Sequence, residues 1–216
     1  MLVRERMTAK PVTITPETSV SDALRLMRDR KIRRLPVLDS RGHLAGIVSD
    51  NDLLYASPSP VTSLSVWEIH ELLYRLKVSE VMTRQVITVN EDTPLEEAAR
   101  IMADQRIGGL PVMSGDKVTG IITETDIFKA FLVQFGARRP GVRVSVTIPT
   151  AKGTIAKIAQ AIFSVGGDIV GLGLGDPTPA TGGQWEITFK VQDVAKDKLV
   201  AAIRPVVNEI VDVREM

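Results

Sequence analysis

The feature that most limits what this chain can fold into is an internal repeat. Val3-Arg4-Glu5-Arg6-Met7-Thr8 returns as Val78-Ser79-Glu80-Val81-Met82-Thr83. The same offset brings Thr13 onto Thr88, Thr18 onto Thr93, Ala23 onto Ala98, Met27 onto Met102 and Ile32 onto Ile107. Leu35-Pro36-Val37 falls on Leu110-Pro111-Val112. One residue is then lost, after which Gly46-Ile47-Val48-Ser49 meets Gly120-Ile121-Ile122-Thr123 and Asp52 meets Asp126. Agreement sustained from Val3 to Asp52 marks a duplication.

Each copy predicts the order β-α-β-β-α. An extended piece (Pro11 to Thr15; Val86 to Asn90) leads to Ser, Thr and Asp residues suited to a helix N-cap. Apolar residues then recur at helical spacing, as Val20, Ala23, Leu24 and Met27 or Leu95, Ala98, Ala99 and Met102. A buried-type strand follows (Leu35 to Leu38; Leu110 to Met113), then a turn at Gly42 or Gly115-Asp116. A second strand (Ala45 to Ser49; Thr119 to Thr123) runs into a helix beginning near Asp50 or Glu124. One copy alone leaves a sheet face bare, so the two are expected to pair.

The copies occupy residues 1–56 and 78–133. Between them, residues 57–77 hold the breaker-rich Ser57-Pro58-Ser59-Pro60 and an amphipathic stretch, Val66, Ile69, Leu72, Leu73 and Leu76, which predicts a linker helix packing on the pair or on a partner chain. After the basic turn Arg138-Arg139-Pro140-Gly141 the pattern changes. Val142, Val144, Val146 and Ile148 alternate with polar residues as a half-buried strand. Ile155, Ile158, Ala159, Ile162 and Phe163 predict one face of a helix ended by Gly166-Gly167. Strands at Ile169 to Leu174 and Trp185 to Val191, a helix around Val200 to Val207 and a last strand at Ile210 to Val213 complete β-α-β-β-α-β over residues 142–216. The expected fold class is mixed α+β: a duplicated module followed by a ferredoxin-like domain.

Composition narrows the function. The 216 residues are 44% hydrophobic and 25% charged, a soluble globular balance. No cysteine is present, which excludes a disulfide scaffold, a thiol nucleophile and cysteine-ligated metal. Lys plus Arg (27) nearly cancels Asp plus Glu (26), and aromatic residues are only 4%, so neither a basic field nor stacking platforms point to nucleic acid. Charges in Met1 to Arg6 and the lack of an uncharged apolar run near ~20 residues predict a cytoplasmic protein without a membrane span.

The duplicated unit resembles a pair of CBS motifs. The resemblance rests on Met7-Thr8 with Met82-Thr83, on the two Leu-Pro-Val strands, and on Gly46-Ile47-Val48-Ser49-Asp50-Asn51-Asp52 with Gly120-Ile121-Ile122-Thr123-Glu124-Thr125-Asp126. It implies a module that senses adenosine-containing ligands. A Ser or Thr closing a strand and opening a helix offers a hydroxyl and free N–H groups to phosphate oxygens. The Asp one turn on can accept ribose hydroxyls. Plain N-caps and first-turn acids would explain the same residues.

The resemblance implies a nucleotide cleft that joins Thr123 and Asp126 to Val12, Ile32 and Arg33, and a second that joins Ser49 and Asp52 to Ile87, Ile107 and Gly108. The four apolar side chains would sandwich the adenine. Arg33-Arg34 would supply a phosphate cation to the first cleft, favouring AMP or ATP there, whereas Gly108-Gly109 would leave the second roomier and uncharged. S-adenosylmethionine is a further expected ligand, and Mg²⁺ would enter only with ATP, at Asp50-Asn51-Asp52.

Residues 142–216 resemble an ACT domain, which often binds small effectors. The resemblance places effector contacts at Thr150, Gly153 and Ile155. Thr150 stands where the family turn carries Asp, which removes the carboxylate that would hold an amino group. Two CBS motifs followed by one ACT domain resemble the acetoin-utilisation accessory family (AcuB type), which implies a homodimer regulating an enzyme of acetoin or related carbon metabolism. No catalytic or metal-ligating set is expected: His43 and His70 are the only histidines, and neither has a ligand spacing or a nucleophile partner. The expected activity is non-catalytic regulation by an adenine nucleotide, without DNA or membrane. The alternative is a constitutive dimerisation scaffold whose clefts stay unfilled.

Overall fold

A computed structural model describes residues 1–56, 66–149 and 151–216, leaving aside the side chains of Val66, Trp67, Ile69, His70 and Ala180. The expected Ser57-Pro58-Ser59-Pro60 loop lies outside the described residues. The chain forms two compact units, Met1–Ile127 and Phe128–Met216.

In the first unit, a 3-10 turn at Val3–Glu5 precedes β1 (Thr8–Ala9), α1 (Val20–Arg30), β2 (Arg34–Leu38), β3 (Leu44–Ser49) and α2 (Asp50–Tyr55). Then come α3 (Val66–Arg75), α4 (Val78–Val81), β4 (Val89–Asn90), α5 (Leu95–Gln105), β5 (Gly109–Ser114), β6 (Lys117–Thr123) and α6 (Glu124–Gln134), whose later turns pass into the second unit. The helices start and stop where local chemistry dictates. Ser19 caps α1 by accepting from the Asp22 N–H at 3.0 Å. Lys31 and Arg106 end α1 and α5 in the same left-handed conformation, φ 54° and ψ 41°. The hairpins turn at Gly42 and Gly115, both with positive φ.

The two repeats exchange their leading segments. The Val3 N–H donates to Thr93 of the second repeat (2.9 Å), and the Val78 N–H donates to Thr18 of the first (2.9 Å). β1 pairs antiparallel with β6, Thr8 opposite Ile121, while Thr83 bridges Ile47 on β3 in both directions (2.9 and 3.0 Å). Val78 and Met82 accordingly sit in the core of the first repeat with Val20, Leu35, Val37, Val48 and Leu53. Fully burying one such side chain contributes roughly 1.5–3 kcal/mol, so the exchange locks the repeats together. Of the linker stripe expected from spacing, Leu73 and Leu76, on and just after α3, pack on this same core, whereas Leu72 is 49% exposed and the side chains of Val66 and Ile69 lie outside the described residues.

The second unit holds β7 (Val142–Ile148), α7 (Thr154–Ser164), β8 (Asp168–Gly175), β9 (Trp185–Gln192), α8 (Lys196–Ile203) and β10 (Glu209–Glu215). The sheet order β10-β7-β9-β8 is ferredoxin-like, and every neighbour is antiparallel. Val144, Val146, Ile187, Phe189 and Val191 bury one sheet face against Ile158, Ile162, Leu199 and Ile203 of the helices. The expected helical face needs correction. Thr154, Ile158 and Ile162 are buried, whereas Ile155 is 45% and Phe163 73% exposed. Thr154 turns inward because its hydroxyl donates to the Ala151 carbonyl at 2.8 Å, which makes a polar side chain tolerable there. Among the described residues, no helix is long and apolar enough to cross a membrane.

Candidate functional site

β3 ends at Ser49 and β6 ends at Thr123, each opening a helix with an Asp three residues on. Asp52 Oδ2 accepts from the Ser49 N–H (2.8 Å) and the Ser49 hydroxyl (2.7 Å), and the hydroxyl accepts from the Asp52 N–H (3.2 Å). Asp126 Oδ2 takes the Thr123 N–H (3.0 Å) and hydroxyl (2.6 Å) in the same way. The corner is a reciprocal capping box.

At Ser49 this closure already partners, within the chain, the hydroxyl and the helix N–H groups expected to meet phosphate. The Asp50 N–H donates to the Arg33 carbonyl (3.0 Å), and the Asn51 N–H donates to the Asp50 side chain (3.0 Å). With Asp52 capped by Ser49, the first turn has no N–H to spare. The Glu124 N–H is likewise taken by the Gly108 carbonyl at 3.3 Å. Each Asp keeps Oδ1 outside these bonds, so its capacity for a sugar hydroxyl resides in that oxygen.

A cavity of about 340 Å³ lies against the Ser49 corner. Ser49, Asn51 and Asp52 line it from one repeat. Val86, Ile87, Ile107 and Gly108 line it from the other, and Arg34 and Arg106 add two guanidinium groups. The structure therefore brings together every residue expected for the second cleft: Ser49, Asp52, Ile87, Ile107 and Gly108.

The uncharged character expected of that cleft needs correction: Arg34 and Arg106 both line it. A β-carbon on Gly108 would strike the Arg34 guanidinium, with Glu124 Oε2 2.8 Å away, and one on Gly109 would stand 3.0 Å from Arg34 Cδ. The missing side chains at 108 and 109 do not leave the cleft neutral; they let Arg34 of the first repeat lie across them. Arg106 comes from the left-handed cap of α5, a position with no motif to mark it.

The other expected set is placed by its strands. β1, which precedes Val12, runs beside β6, which ends at Thr123, and the Lys10 N–H donates to Thr119 at 2.9 Å. Val12 and Ile32 lean on the core of the first repeat, and the Arg33 side chain is exposed. His43 is a turn residue. Its backbone N–H is the main influence holding the Asp39 carboxyl below the ordinary carboxylate range. Among the described residues, no group of three His, Asp or Glu side chains could hold a metal ion.

In the second unit, Gly153 and Ile155 border a cavity of about 370 Å³ with Pro149, Leu174 and Trp185. Thr150, the remaining expected effector contact, lies outside the described residues.

Residues 3–59 and 78–133 each match the CBS domain model. The chain belongs to the CBS-domain family. CBSX2 in complex with AMP is 34% identical, with 61% of this chain and 96% of that one covered, at a TM-score of 0.52. The CBS-domain pair of protein MJ0100, in complex with 5'-methylthioadenosine and S-adenosyl-L-methionine, is 28% identical over 64% of this chain and 98% of that one, at a TM-score of 0.52. A protein assigned to acetoin utilization (AcuB) from Vibrio cholerae is 34% identical over 60% of this chain and 89% of that one, at a TM-score of 0.51.

Proposed function

We propose that this protein is a non-catalytic regulator that binds a phosphorylated adenosine in the Ser49–Asp52 cleft. One observation carries the reading: a single cavity joins an acid with an uncommitted oxygen, four apolar β-branched residues (Ile47, Val86, Ile87 and Ile107) and two arginines. Val86, Ile87 and Ile107 supply flat apolar contact for a purine. Asp52 Oδ1 accepts from the ribose, and Arg34 and Arg106 meet the phosphate, which Arg holds in fork geometry. The relatives solved with AMP and with S-adenosylmethionine support the ligand class. Thr123 and Asp126, with Val12, Ile32 and Arg33, form the second site of this reading.

The ligand alters a partner enzyme through a homodimer, and the likeness to AcuB makes carbon catabolism the place to seek that enzyme. The ferredoxin-like domain acts as an ACT-type effector module, with the cavity at Gly153 and Ile155 receiving a small molecule. Titration calorimetry with AMP, ADP, ATP and S-adenosylmethionine tests the reading. Saturable heat with AMP is expected, and no heat with any of the four overturns it. The self-satisfied capping box at Ser49 favours one competing reading, a constitutive scaffold, for which the melting temperature would not move in excess nucleotide.

A further inference from the structure

The sheet of the second unit has a helix-covered face and an opposite face, and the opposite face carries three cations in register. Arg214 on β10 stands directly opposite Arg143 on β7, and Arg143 stands directly opposite Lys190 on β9. Like charges in such register destabilise a sheet. Asp212 answers the two arginines: its Oδ2 accepts from Arg143 (2.9 Å) and its Oδ1 accepts from Arg214 (2.8 Å). Both its oxygens are spent on the two arginines. Lys190 is left without a hydrogen bond or ion pair among the described residues, and it is only 4% exposed. Its stem is buried while its ammonium keeps access to solvent, so the charge stands open to an acidic partner from outside the chain.

The place for that partner is present. Lys190 and Arg143 border a cavity of about 350 Å³, at the lower end of the range for small-molecule sites, whose other walls include Phe135, Ala137 and Thr188. The neighbouring strand β8 opposes Lys190 with Gly171, whose missing side chain lets the Phe135 backbone close over the strand and form one wall of the cavity.

We propose that this cavity binds a small organic carboxylate with an apolar body, the carboxylate on Lys190 and Arg143 and the body against Phe135 and Ala137. The apolar wall disfavours inorganic phosphate, which would be desolvated there with few donors to repay it. The site lies on the sheet face opposite the helices and is distinct from the cavity at Gly153 and Ile155.

The test is calorimetry of the full chain with straight-chain carboxylates from acetate to octanoate, with the matching alcohols and with inorganic phosphate. Saturable binding of acids alone is expected, tightening roughly fourfold per methylene until the cavity is full. Lys190→Met, which keeps the stem and removes the charge, is expected to weaken the best acid at least tenfold while AMP binding and sedimentation stay unchanged. No binding by any acid, equal binding by the alcohols, tighter binding of phosphate, or an unaffected Lys190→Met overturns the proposal. So does a variant that changes oligomeric state, because the lysine would then face a second protein chain. The acid–alcohol comparison needs no variant and decides the matter even if Lys190→Met does not fold.

Discussion

Met82 presses its thioether onto Gly46: a β-carbon at that glycine would lie 2.6 Å from Sδ and 2.9 Å from the Thr83 carbonyl oxygen. Met7 meets Gly120 in the same way. The pairing explains why the repeat carries Met at one end and Gly at the other, since each Met reaches the Gly of the opposite copy. Gly46→Ala should therefore cost about 1–3 kcal/mol of stability by overpacking, read from thermal or denaturant unfolding. Adding Met82→Ala should recover only part of it, because the carbonyl oxygen remains. Full stability in Gly46→Ala alone would contradict the exchanged-lead packing.

On the proposed reading of the cleft, Arg34 is expected to separate phosphate recognition from nucleoside recognition. Arg34→Met keeps an apolar stem over Gly108 and Gly109 but removes the guanidinium. AMP affinity is expected to fall about tenfold or more, the range of a charged hydrogen bond, while adenosine affinity stays put. An equal loss for both ligands would mean that the substitution merely deformed the cleft.

Gly171 and Gly173 differ in what a methyl group would meet. At Gly171 it strikes the Phe135 backbone and stands 2.9 Å from the Gly136 nitrogen, whereas at Gly173 it strikes the Phe135 ring. A ring can swing and a backbone cannot. Gly171→Ala should lower the melting temperature of the second unit clearly more than Gly173→Ala; the reverse order would show that the ring, stacked on Phe131 at 5.8 Å, is the more rigid element.

The second unit should lose stability in acid partly through Asp212. Hydrogen bonding and charge from Arg214, then the charge of Arg143, hold its carboxyl below the ordinary range. A carboxyl depressed in the folded state stabilises above its unfolded pKa of roughly 4, and that contribution fades as pH falls through the lower folded value. Melting temperatures between pH 6 and 3 should fall more steeply in the wild type than in Asp212→Asn. Parallel slopes would remove Asp212 from the account.

Much of the fold was legible because duplication states each element twice. Val20–Met27 and Leu95–Met102 repeat one helical stripe, and Gly42 and Gly115 repeat one turn. The exchange of leading segments was not legible, since Val3 and Val78 look alike and nothing local says which copy each serves. The CBS resemblance named Ser49, Asp52, Ile87, Ile107 and Gly108, which share the lining of one cavity, but it did not give the direction of Arg34. Gly108-Gly109 reads as vacant space until the chain folds and a side chain from the opposite repeat fills it. Arg106 carried no signal at all, because the left-handed cap that aims it is a backbone property. Ile155 and Phe163 misled because helical periodicity marks apolar spacing and not which side the sheet lies on.

The central claim is that Asp52 holds the ribose of a phosphorylated adenosine beside Arg34 and Arg106. Calorimetric titration of AMP into the wild type, Asp52→Asn and Asp126→Asn tests it most directly, because Asn still accepts the capping N–H and spares the helix. Asp52→Asn should abolish the tighter of any two binding events or weaken it at least tenfold, with Asp126→Asn leaving that event intact. Unchanged AMP binding in Asp52→Asn would contradict the account.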